Sequence, residues 1–214
     1  MSAFEPLLDL QPKTLEELNA LIERAGQLVP GATRPVFGEG PTGAIAFVGE
    51  QPGDQEDLQG RPFVGPAGQL LTRAMADVGL DRRKVYLTNA VKHFKFEERG
   101  KRRIHAKPTA GEIRHYRPWL MKELELVRPK LVVALGASAL QALAGKALPI
   151  GRARGPRELS GFQGYVTVHP SYLLRIPEVA AKEEAYQVFL KDLARIRDLA
   201  GSATATGKPG LAAE

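Results

Sequence analysis

Apolar positions along the chain alternate between two rhythms. Thr14-Leu15-Glu16-Glu17 has the residues of a capping box, and Leu15, Leu18, Leu21, Ile22 and Ala25 follow it at helical spacing. A turn-rich stretch from Pro30 to Gly43 leads into Ala44-Ile45-Ala46-Phe47-Val48. That continuous apolar run ends at Gly49 and predicts a buried parallel strand. Gly68 to Val78 returns to helical spacing, with Gly79 as its C-cap. Val85-Tyr86-Leu87-Thr88 predicts a second strand, Lys92 to Lys107 a charged loop, Glu112 to Val127 an amphipathic helix and Lys130 to Leu135 a third strand. Ala137 to Ala144 reads as a short helix, Tyr165 to Val168 as a fourth strand and Glu183 to Leu199 as a closing helix.

Strands alternating with helices predict a single α/β/α sandwich around a central, mainly parallel, four-stranded sheet. The expected organisation is an N-terminal helical extension over 1–32, the α/β domain over 33–200 and a disordered tail over 201–214, which is rich in Ala, Gly and Thr. In such a sheet, function gathers in the loops that leave the carboxyl ends of the strands. Here those loops are Glu50 to Phe63, Asn89 with the residues after it, and His169 to Arg175.

Composition narrows the chemistry. The 214 residues contain no cysteine, which excludes disulfides, thiol catalysis and cysteine-ligated metal. The four histidines are too scattered to suggest a zinc site, so no metal is expected. No apolar run approaches the ~20 residues of a membrane span, and the N-terminus lacks a basic-then-apolar signal pattern. A cytoplasmic protein without a membrane partner is the expectation. A net charge of +6 suits a polyanionic partner.

Two motifs mislead. Gly38-Glu39-Gly40-Pro41-Thr42-Gly43 fits the dinucleotide fingerprint G-x-G-x-x-G but precedes its strand instead of following it. Ser138 lacks the second glycine of a nucleophile elbow and reads as a residue near a helix start.

Other motifs carry more. In Gly49-Glu50-Gln51-Pro52-Gly53-Asp54, carboxylates bracket a turn directly after a buried strand, and Asp57 adds a third. Arg61 to Pro66 sets Phe63 in a constrained loop, where its ring is either core or a stacking surface. Lys101-Arg102-Arg103-Ile104-His105 concentrates cations, with Lys92, Lys95 and Lys107 nearby and Phe94 and Phe96 interleaved, a mixture suited to phosphates and bases together.

Taken together, these stretches resemble the uracil-DNA glycosylase superfamily, and within it the X-type branch related to family four. The resemblance runs in order through Gly49 to Asp54, Arg61 to Gly68, Leu87 to Lys92, Lys101 to His105, Arg117-Pro118-Trp119-Leu120 and His169-Pro170-Ser171. It implies a monomer that acts on uracil in single- or double-stranded DNA, flipping the base into a pocket. On the same resemblance Phe63 stacks on uracil, Asn89 bonds its Watson–Crick edge and the backbone at Gln51 contacts it. His169 donates to the departing base, a positioned-donor effect of ~3–4 kcal/mol. Glu50 and Asp54 stabilise the sugar cation or position a nucleophile, and His105 attacks the sugar carbon and stays bonded to it. Arg103 orients its loop or grips a phosphate, Lys101 contacts DNA, and Ser171 to Arg175 enters the minor groove with Tyr172 or Leu173 as a wedge. Turnover without an adduct, or silent DNA binding, are the alternatives. The family's iron–sulfur cluster is expected to be absent: Glu23, Gly26 and Tyr116 stand at three of the four ligand positions, and none is a thiol. Packing around Tyr116 is expected to replace it.

Overall fold

The five-residue apolar runs form the middle of one sheet because residues buried on both faces need cover on both faces. The computed structural model describes residues 10–26 and 34–203. Strand β1 (Ile45–Gly49) pairs in parallel with β2 (Val85–Asn89) on one side and β5 (Leu131–Leu135) on the other, and β5 pairs in parallel with β7 (Phe162–Thr167). The expected four parallel strands are all present. A fifth, β6 (Gly155–Leu159), joins the edge antiparallel to β7, giving the order β2-β1-β5-β7-β6. Its Gly-Pro-Arg-Glu-Leu sequence, with a proline and two charges, has no apolar signature because it needs cover on one side only.

Helices cover both faces. On one lie α1 (Leu15–Ala25), α4 (Ala110–Val127) and α5 (Gly136–Ala144), with Leu18, Leu21, Ile22, Tyr116, Trp119 and Leu140 packed on Ala46 and Val48. On the other, α3 (Pro66–Asp77) and α8 (Val179–Ala203) put Leu70, Leu71, Phe189 and Leu193 against Ile45 and Phe47. Successive residues of β1 thus serve opposite cores, as strand geometry requires. Short helices α2 (Asp54–Gln59), α6 (Ile150–Ala153) and α7 (Pro170–Leu174) complete the described α-helices.

Three expectations change. The stretch from 92 to 107 is not all loop, since β3 (Phe96–Arg99) and β4 (Arg102–His105) pair as an antiparallel hairpin that brings His105 opposite Phe96. Charge on nearly every residue hides the alternation of this exposed pair. The loop after β1 contains α2, whose acidic sequence has no apolar period. Its first turn is satisfied by Glu56, which accepts the Gly53 amide N–H (3.1 Å). Finally, α8 continues through Ala203, past the start of the expected tail at Gly201, and 204–214 lie outside the described residues, as do 1–9 and 27–33.

The chain leaves β1 for β2 on one side and returns to β5 on the other. The crevice outside the carboxyl ends of β1 and β5 is therefore a topological switch point, where α/β sheets bind ligands. The glycines of the false dinucleotide motif have a different use. Glu39 forms a bridge with Leu87, and a Cβ on Gly40 would lie 2.2 Å from the Val85 carbonyl oxygen, so only glycine lets this segment lie along β2.

Candidate active site

A cavity of about 1030 Å³ opens at that crevice. At its floor β1 ends on Gly49, where a Cβ would lie 2.3 Å from Asn89 Oδ1 and 2.7 Å from Phe63 Cζ. The missing side chain lets amide and ring close together over the strand end. Asn89 ends β2, is buried, and presents a side-chain amide with no hydrogen-bond partner among the described residues. Its backbone carbonyl is held from behind by Lys92 Nζ (2.9 Å). Lys92 is itself fully buried against Glu123 (2.5 Å) and Thr88 (2.7 Å), and Tyr86 donates to the same carboxylate (2.9 Å). Lys92 is therefore part of the support under Asn89, which corrects its grouping with the phosphate-facing cations. Burial, reinforced by the Glu123 charge, pushes the Tyr86 hydroxyl well above the usual phenol range.

Phe63 is buried with φ at 56°, a left-handed backbone that a bulky residue adopts only when its surroundings enforce it. The enforcement comes from two sides. A Cβ on Gly68 would lie 2.0 Å from the Phe63 carbonyl oxygen, so α3 can press against this turn only with glycine there. Buried Glu56 also accepts the Gly65 amide N–H (2.8 Å) along with that of Gly53, tying the Phe63 loop to the start of α2.

The ring of Phe63 lies 6.3 Å from that of His169, centroid to centroid. His169 follows β7 and caps α7: its Nδ1 accepts the Ser171 amide N–H (3.2 Å) and lies 2.8 Å from the Ser171 hydroxyl. An amide can only donate, so Nδ1 holds a lone pair and the neutral ring carries its proton on Nε2. Burial, with the Arg175 guanidinium as a lesser cause, lowers the imidazole pKa to about 4 and keeps the ring neutral. Gly136, at φ 85°, leaves the space into which the His169 Cβ fits.

The hairpin forms the opposite wall. Arg103 is clamped between α2 and two aromatic rings. It donates to Asp54 Oδ1 (2.7 Å) and Asp57 Oδ2 (2.5 Å), while its guanidinium carbon lies 5.1 Å from the Phe96 centroid and 5.4 Å from that of Phe94. Gln51 uses its side chain on the same hairpin, donating to the carbonyls of Lys95 (3.0 Å) and Ala106 (3.1 Å) at its two ends. These anchors bring His105 Nε2 to 3.3 Å from Glu50 Oε1, and the other Glu50 oxygen accepts the Ser138 hydroxyl.

Ten of the residues singled out from sequence line this one cavity: Glu50, Gln51, Asp54, Phe63, Asn89, His105, His169, Ser171, Tyr172 and Arg175. Arg103 stands behind the wall, engaged with Asp54 and Asp57, and Lys101 is exposed at the hairpin turn. Leu173 is 1% exposed and belongs to the core, so of the two wedge candidates only Tyr172, 49% exposed, is free to enter a groove, with Leu174 beside it. Sequence reasoning missed the Gln51 side chain, Glu56 and Ser138.

The cluster positions named from the resemblance offer no suitable donor set. Glu23 is exposed, Gly26 has no side chain, and buried Tyr116 hydrogen-bonds His93 Nδ1 (2.6 Å) within the packing of Leu18, Leu21 and Ile22. Without a thiolate in the chain, a cysteine-held iron–sulfur cluster does not fit these residues. Among the described residues, no group of three or more histidine, aspartate or glutamate side chains is arranged to hold a metal ion. No described helix is long and apolar enough to cross a membrane.

Residues 37–194 match the family model of the uracil DNA glycosylase superfamily. The chain is 38% identical over 169 residues to the Type-4 uracil-DNA glycosylase of Thermotoga maritima, covering 77% of this chain and 82% of that one. It is 33% identical over 179 residues to the Type-4 uracil-DNA glycosylase of Sulfurisphaera tokodaii, covering 78% and 76% respectively. A DNA polymerase of Bacillus phage SP01 is 32% identical over 164 residues, 75% of this chain but 16% of the polymerase.

Proposed function

The chain belongs to the uracil DNA glycosylase superfamily, and from that premise we propose that it excises uracil from DNA and ends bonded to the DNA through His105. The observation that carries this reading is the convergence of Phe63, Asn89, His169 and the Glu50–His105 pair on one cavity. A flipped uracil stacks on Phe63. The free amide of Asn89 complements its edge, the NH₂ donating to O4 and the carbonyl accepting N3–H. As the bond from C1′ to N1 breaks, its electron pair leaves with uracil, and His169 Nε2–H donates to the oxygen on which that charge gathers. The sugar is left as a cation beside the Glu50 carboxylate.

A ring nitrogen of His105 then gives its lone pair to C1′. The N-alkyl imidazolium so formed loses its one remaining N–H proton to the neighbouring carboxylate or to water, and the product is a neutral N-alkyl imidazole with no leaving group to expel. This is the behaviour of the X-type branch. Arg103 and Gln51 serve it by holding the hairpin, and Tyr172, Ser171, Arg175 and Lys101 face the DNA. The likeness to the Type-4 uracil-DNA glycosylases of Thermotoga and Sulfurisphaera supports a second reading, in which this chain turns over as a glycosylase and forms no adduct.

Denaturing electrophoresis with an end-labelled uracil oligonucleotide separates the readings. The expected result is a shifted band that survives SDS and heat in wild type, disappears in His105→Ser and gives way there to free abasic product. An adduct undiminished in His105→Ser would sink the assignment of the nucleophile. Many turnovers per wild-type molecule with no adduct would favour the second reading.

A further inference from the structure

Strands β1 and β5 are parallel neighbours, and the chain leaves their adjacent carboxyl ends toward different elements: Glu50 heads the loop to α2, and Leu135 runs directly into α5. Ser138 is the third residue of α5 and is 2% exposed. A serine within a helix commonly bonds a carbonyl of its own helix. This one crosses the switch point and donates to Glu50 Oε2. The hydroxyl is the donor and the carboxylate oxygen the acceptor. The second oxygen, Oε1, then faces His105 Nε2 at 3.3 Å.

Among the described residues, Ser138 and His105 are the two groups that hold this carboxylate. Of these, His105 sits on the hairpin wall, with its side chain 46% exposed, and is the group whose bonding changes during the reaction proposed above. Ser138 alone can fix the carboxylate while that change takes place. Its hydroxyl does not line the cavity, although its neighbours Gly136 and Ala137 do. Buried at 2% exposure, it meets the cavity through Glu50.

We propose that Ser138 is a positioning residue for the reaction, pinning the Glu50 carboxylate across the switch point so that its free oxygen stays turned toward His105 and the sugar. The inference rests on the proposed uracil excision but not on the fate of the sugar. Its measure is therefore the rate constant for total glycosidic cleavage, adduct plus abasic product, in single-turnover reactions of the full chain with uracil oligonucleotide.

Ser138→Ala should lower the maximal rate about tenfold, the lower end of the range for one hydrogen bond to a charged group, and leave half-saturation by DNA unchanged. Ser138→Thr, which keeps the hydroxyl, should retain the wild-type rate. In a Glu50→Ala background, followed over hours, adding Ser138→Ala should have no further effect, because the serine acts only through the carboxylate. If Ser138→Ala shows no cooperative melting, Ser138→Cys, of similar size but a weak donor, replaces it in the same cycle. A variant lacking the hydroxyl that cleaves as fast as wild type, or a tenfold loss that persists in the Glu50→Ala background, overturns the proposal. Wild type that neither cleaves nor is trapped overturns the proposed function, and this inference with it.

Discussion

On the proposed reading Asn89 decides recognition, because its buried amide, without a hydrogen-bond partner among the described residues, is open to the cavity where uracil's polar edge would lie. Asn89→Ala should slow uracil release by about 10- to 100-fold, the cost of leaving a buried donor and acceptor unmatched at ~1–3 kcal/mol. Single-turnover rates check it, and a rate equal to wild type would remove Asn89 from the pocket. Such residues were legible in the sequence because Glu50, Asn89 and His169 each stand just behind an apolar strand, and strand ends are where α/β chemistry collects. Ser138 was not, since its partner lies 88 residues away and no local spacing records a contact of that length. The sequence leaves the choice between Tyr172 and Leu173 open for a related reason. In a helix of five residues, the phase that buries Leu173 and exposes Tyr172 and Leu174 is set by tertiary packing and leaves no period to read.

The hairpin is an element whose position depends on groups outside it. Its two strands pair only with each other, and Arg103 bolts it to α2 through Asp54 and Asp57. Asp57 is fully buried, so Arg103→Met would leave a carboxylate without its counter-charge. Breaking a buried pair costs roughly 3–5 kcal/mol, and the part-exposed guanidinium brings the expectation down to about 2–3 kcal/mol. Urea unfolding measures that loss. Adduct formation should fall further than total uracil release, because His105 rides on the hairpin and His169 does not. Equal loss of both would mean that Arg103 supports the whole cavity rather than this wall. The strands and long helices were readable because burial on one or two faces writes a period into the chain. The hairpin and α2 are held by ion pairs and backbone caps, which write none.

At the scale of the molecule, two histidines tie stability to acidity. Burial lowers His93 to about 4, and burial with neighbouring positive charge lowers His169 to about 4. Both ionise near 6.5 once unfolded, so between about pH 6.5 and pH 4 the unfolded chain binds more protons than the folded one. Stability should therefore fall as pH falls through that window, by at most ~1.4 kcal/mol per pH unit for each histidine. Denaturant titrations at pH 7, 6 and 5 test this, and His93→Gln should flatten the slope; a stability that rises toward pH 5 would contradict both assignments. The junction of α1 with α4 has a consequence of another kind. Its packing is largely hydrocarbon on hydrocarbon, with a phenol–imidazole hydrogen bond between Tyr116 and His93 beside it, and neither has any redox chemistry at ordinary potentials. Purified in air, the protein should be colourless, with far less than one iron per chain. Incubation with EDTA or dilute peroxide should leave its melting temperature where it was, so air, chelators and the absence of reductant set no limit on how it is handled.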